Sequence, residues 1–174
     1  MFRNVLLVTL SLALLAVALG ASTVRAAEPV FADLAAPYET IRLQLLEDST
    51  KEVAAVAERL QGSLQELQEN FSAPHAGVSA HDAATLKELL PTMMEAVSQL
   101  IQATQKGDLQ TARDAFYELS KPLVRYHAMV EDKAGMIAVY CPMARRSWLQ
   151  PEAAAIGNPY HGQAMAGCGN VVGE

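Results

Sequence analysis

Cys141-Pro142-Met143 sets a thiol and a thioether two positions apart, and the proline between them stiffens the chain so that both sulfurs can face one point. Farther on, His161, Met165 and Cys168 supply an imidazole, a thioether and a thiol at spacings of four and three. Soft sulfur donors select Cu(I), which also accepts imidazole nitrogen, whereas magnesium and calcium take oxygen. Zinc is the rival ion, but it favours Cys and His without Met, and no paired C-x-x-C or H-x-x-x-H spacing occurs. The candidate ligands are therefore Cys141, Met143, His161, Met165 and Cys168, with copper as Cu(I) the candidate ion. His127, two residues before Met129 on the stretch that leads into the cysteines, is a further candidate. Its alternative is an ordinary packed or solvated helical histidine.

The two cysteines have a second reading, a structural disulfide, which is the default for an even pair in an oxidising compartment. Such a bridge removes both thiolates yet draws Met143 and Met165 toward one another, so the two readings are compatible. Met93, Met94 and Met129 sit in helical runs and read as packing, and Met136 is open. Met143 and Met165 lie among polar, Gly and Pro residues with little core to fill, which favours a ligand role. His75 and His81 read as surface residues, and Trp148 as a buried anchor for the C-terminal segment. No Ser has a plausible His and Asp arrangement and no Gly-rich phosphate loop precedes a helix, so an enzyme is not expected.

The elements that must carry these residues are legible from apolar spacing. Four runs recur at helical period: Leu34 to Leu45, Val53 to Phe71, Leu86 to Thr104 and Leu109 to Val130. Ser49 with Glu52 forms a capping-box pattern, Ser79 with Asp82 resembles one, and Lys106-Gly107-Asp108 reads as a C-terminal glycine followed by a new N-cap. Pro91 and Pro122 fall inside the helical patterns and should bend those helices. The expected fold is all-α: an antiparallel four-helix bundle over residues 27–131, followed by an irregular Gly- and Pro-rich segment of the same domain, 132–174, that holds both cysteines.

Residues 1–26 read as a secretion signal, with Arg3 before an uncharged run from Val5 to Leu19 and small residues ending at Ala26. An uncleaved membrane anchor is the competing reading. Removal of the segment leaves 11 basic against 19 acidic residues, a formal charge of −8 in place of −6, and argues against nucleic acid as a partner. Some 148 remaining residues make one domain that needs no disulfide to bury a core.

The run Tyr140-Cys141-Pro142-Met143-Ala144, then Trp148-Leu149, Asn158-Pro159-Tyr160-His161-Gly162, Met165 and Cys168-Gly169 resembles a periplasmic bacterial domain of formally unknown function. That domain occurs alone in exported proteins and at the C-terminus of CusB-type heavy-metal efflux adaptors. The resemblance extends more loosely to Tyr38–Asp48 and to Ala112–Ser120. It implies metal binding by Cys141, Met143, Met165 and Cys168 in a periplasmic helical domain concerned with copper, whose partners would be an efflux adaptor or a copper chaperone. Two positions depart from the pattern: Tyr140 stands where the family often has histidine, and His161 where it often has a second tyrosine. Arg145-Arg146-Ser147 replace the glycines that commonly precede the Trp-Leu pair. The expected function is Cu(I) buffering, transfer or efflux. The rival readings are a metal-free interaction module pinned by a Cys141–Cys168 disulfide, and a binder of zinc or heavy metals in general.

Overall fold

The computed structural model describes residues 30–173. The signal reading of residues 1–26, with the localisation that follows from it, lies outside them. None of the described helices is long and apolar enough to cross a membrane.

Four long helices form along the four apolar runs: α1 (Phe31–Leu46), α2 (Val53–Glu69), α4 (Ala83–Gln105) and α5 (Leu109–Met129), with a single turn, α3 (Ala73–Ala76), between α2 and α4. Each buries one stripe, among them Leu34, Tyr38, Ile41 and Leu45 of α1, and Phe116, Leu119, Leu123 and Tyr126 of α5. α2 packs on α1 and α4, and α4 on α5. Asp108 caps α5 by accepting from the Thr111 amide at 3.0 Å, after Gly107 has turned the chain at φ +69°. Ser79 accepts from the Asp82 amide and donates to its carboxylate, closing the turn before α4. The Ser49/Glu52 box does not form: Glu52 takes φ +61° and Ser49 Oγ accepts from the Lys51 amide. α4 and α5 run through Pro91 and Pro122, as α1 does through Pro37. Met93 is buried, and Met94 and Met129 pack against the core.

The chain is mixed α/β, which corrects the expectation of an all-α four-helix bundle with an irregular tail. β1 (Met136–Cys141) and β2 (Arg146–Pro151) form an antiparallel hairpin, and β3 (Asn170–Val172) pairs with the other side of β1, giving the order β2-β1-β3. The glycines and prolines that suggested irregularity fall at Gly135, Pro142, Pro151, Gly157 and Pro159, where they start strands, end them or turn the chain between them. Met136, Ala138, Val139, Cys141, Trp148 and Leu149 join the helical core, so helices and sheet share one apolar interior.

An exposed strand edge invites unwanted pairing. Here β2 lies on α5 and α1, and two phenols bond two of its outer backbone groups. The Leu149 amide donates to Tyr38 Oη at 3.2 Å, and Tyr160 Oη donates to the Ser147 carbonyl at 2.6 Å. Ser120 Oγ donates to the Phe116 carbonyl, so Tyr38 Oη in turn donates to Ser120 Oγ. Burial pushes both tyrosines well above the usual phenol range, which keeps them protonated as donors.

Candidate functional site

Pro142 to Arg145 turn the hairpin, with the Arg145 amide donating to the Cys141 carbonyl and Arg145 at φ +56°. Pairing of β3 with β1 then places Cys168 beside Cys141, and the two form a disulfide with Cα atoms 5.7 Å apart. Cys141 is wholly buried and its Sγ accepts from the Ala144 amide. Met143 sits in the hairpin turn two residues from Cys141. Met165 ends a single 3-10 turn (Gly162–Met165), with its carbonyl accepting from the Cys168 amide. The disulfide therefore brings to one end of the sheet the chain segments that carry Met143, two residues after Cys141, and Met165, three residues before Cys168. Both thioethers face solvent, Met143 at 68% and Met165 at 36% of full exposure.

The segment from Gly157 to Gly162 connects this end to the helices through two buried arginines. Arg42, held bidentately by Glu39, donates to the Gly157 carbonyl at 2.6 Å. Arg113 donates to the Pro159 carbonyl, to the Leu45 carbonyl at the end of α1, and to Asp48 Oδ1 at 2.5 Å. The Arg113 guanidinium holds the Asp48 carboxyl below its ordinary range. Asn158 is the hub of the loop: its Oδ1 accepts from the amides of Tyr160 and His161, and its Nδ2 donates to the Cys168 carbonyl. Gln150 serves the preceding loop in the same way, accepting from Trp148 Nε1 and the Gly157 amide while donating to the carbonyls of Ala154 and Ala155. Each buried amide is thus satisfied on both its donor and acceptor sides.

Gly162 occupies φ +52°, and a Cβ there would lie 1.9 Å from Asp48 Oδ1 and 2.3 Å from Arg113 Nη2. Gly162→Ala combines a left-handed backbone with displacement of that ion pair. The expected loss is about 2 kcal/mol of stability, read as an earlier midpoint in urea unfolding.

His161 follows this hub, and its Nε2 is buried without a hydrogen-bond partner. Among the described residues no group of three or more His, Cys, Asp and Glu side chains converges. His127, grouped with these ligands on sequence, lies elsewhere: its Nε2 bonds the Met136 carbonyl at 2.9 Å, at the opposite end of β1 from Cys141. Five strand steps separate those ends by roughly 16 Å. His81 is exposed, whereas His75, within α3, has its Nε2 buried and unpartnered.

Sequence reasoning missed Arg42, Arg113, Gln150 and Asn158 as the residues that position this end. A buried arginine has no periodic signature, because its partners are carbonyls 115 and 46 residues away in the chain. Helices, sheet and a disulfide-centred loop cluster define a small α/β domain with a sulfur-rich tip. Comparison with protein-family models, with curated proteins and with solved structures returns no match for this chain.

Proposed function

We propose that this is an exported, non-enzymatic protein that binds Cu(I) at the sulfur-rich tip, for buffering or for transfer to an efflux adaptor or copper chaperone. The observation that carries the reading is the exposure of Met143 and Met165 beside the cysteine pair. Trp148, Asn158, Tyr160 and Gly162 are all occupied in building the fold, whereas the two thioethers fill no core and are free to meet a ligand. Thioether sulfur is a donor that Cu(I) accepts and most competing ions do not. The unpartnered Nε2 of His161 offers a nitrogen donor. Cys141 and Cys168 would contribute as thiolates once their disulfide is reduced.

Loss of even an outer-shell partner commonly weakens metal binding by about tenfold. Met143→Ala and Met165→Ala, both at exposed positions, are expected to weaken Cu(I) binding by at least about that factor each while leaving the fold intact. The check is competition against a chromophoric Cu(I) chelator, with far-UV circular dichroism as the fold control.

A second reading is favoured by the disulfide itself: with Cys141 buried and bonded, the tip is a rigid surface suited to docking on an efflux adaptor without metal. A disulfide that persists at the redox poise of the export compartment, together with no Cu(I) affinity in either redox state, would select this reading.

A further inference from the structure

A cavity of about 570 Å³ opens between the C-terminal end of α5 and the outer side of the sheet, at the end of β1 away from the disulfide. Val124 and Ala128 of α5, Ile137 of β1, and Val171 and Val172 of β3 give it an apolar wall. Cavities of this size with apolar walls and a few placed polar groups are the usual form of small-molecule sites. Three polar side chains line it: His127, Lys133 and Glu152.

The turn that presents Lys133 is built. Asp132 Oδ1 accepts from the Ala134 amide, the Met136 amide donates to the Lys133 carbonyl, and the Glu152 amide to the Gly135 carbonyl. Lys133 Nζ donates to the His127 carbonyl, which uses one of its three donors. Among the described residues it forms no ion pair with a carboxylate. Burial depresses its pKa, as expected for a cation that lacks a counter-charge. His127 donates through Nε2 to the Met136 carbonyl, and burial lowers its pKa.

We propose that this cavity is a binding site for a small amphiphile with an aliphatic tail and a single anionic head, the head taken by Lys133 and the tail by the valine-lined wall. The charge arrangement selects the class. An apolar molecule without a head would leave Lys133 desolvated and unpaired, and a cationic head would meet a like charge. Glu152, the carboxylate on the wall, is solvent-exposed, which weakens its repulsion of the ligand. The site is independent of the copper reading.

Sodium decanoate below its micellar concentration serves as the probe, with 1-decanol as the neutral counterpart, followed by NMR chemical-shift titration of the full chain in its exported form. Saturable 1:1 shifts are expected at Val124, Ile137, Val171 and Val172, with decanol at least about fivefold weaker. Lys133→Gln should cost roughly tenfold in decanoate affinity and leave decanol unchanged, as loss of a charge-assisted hydrogen bond requires. Ala128→Trp, at an exposed position on the cavity wall, should abolish both. Absence of saturable decanoate binding, equal affinity in Lys133→Gln, or shifts confined to other residues would overturn the proposal.

Discussion

Replacing both cysteines, Cys141→Ser with Cys168→Ser, is expected to lower stability by about 3.5 kcal/mol, most of it confined to the C-terminal half of the fold. The disulfide closes a loop across a sequence separation of 27 residues, and the chain-entropy relation for that length gives roughly this value. The sheet depends on it more than the helices do. β3 has three residues, all exposed, and its pairing with β1 is reinforced by the covalent bond and by the bond from Asn158 Nδ2 to the Cys168 carbonyl. The four long helices bury their stripes against one another without either cysteine's neighbours on β3. Two probes separate these parts, because Trp148 is the one tryptophan of the chain and lies on β2, whereas far-UV circular dichroism follows the helices. In urea, the fluorescence transition of the double variant should precede the helical transition. Coincident and unshifted transitions would show that noncovalent packing alone holds the tip.

Trp148→Ala is expected to cost about 4 kcal/mol, a large share of the 5–15 kcal/mol typical of a domain. Trp148 is fully buried, and its ring meets Tyr160 edge-on at 5.9 Å between centroids. Gly169 lies against the same ring: a Cβ there would come within 2.7 Å of it and of Val139. The indole therefore joins β2, the Pro159–Tyr160 turn and the approach to β3, and its removal leaves a cavity where those segments meet. Gln150 Oε1 keeps the Gly157 amide as a donor, so the cost is that of lost packing. Trp148→Phe should recover about half of it. Thermal unfolding followed by circular dichroism, with tyrosine fluorescence as a second probe, gives the measurement. A loss below about 1.5 kcal/mol would mean that the surrounding segments close over the gap.

The helical part of this fold was legible because α2, α4 and α5 bury a stripe at i, i+3, i+4 and i+7 that leucine, valine and phenylalanine mark without ambiguity. The sheet was not, for two physical reasons. β1, Met136–Cys141, is buried toward both faces in part, so it lacks the polar alternation of a half-exposed strand. β3 is so short that its identity comes from its partner β1 and from the disulfide. At the site, the soft-ligand residues were visible as types, but what links the Cys141-Met143 segment to the Met165-Cys168 segment is the disulfide, one of two readings the sequence left open. His127 was misplaced because nearness in sequence to β1 says nothing about which end of the strand it touches. The buried clamps of Arg42 and Arg113 depend on where a loop more than forty residues away returns to the helices.

The positions where the chain departs from the pattern it resembles acquire a physical setting. Arg146, in place of a small residue, stacks on Tyr117 and Tyr160 with its charge paired to Asp114. The extra bulk before the Trp-Leu pair is thus accommodated on the surface of α5. His161 brings an imidazole to the loop that carries Met165, while Tyr140, on β1, is only half-buried.

The most direct test of the copper reading is a Cu(I) competition titration on residues 27–174, with thiols counted by a disulfide-exchange reagent before and after reduction. The account predicts two thiols released on reduction, 1:1 Cu(I) binding that is tighter in the reduced protein, and weakening when Met143 or Met165 is replaced by alanine. Binding that is absent in both redox states, or unchanged by both methionine substitutions, would contradict it and leave the disulfide-pinned docking surface as the function of the tip.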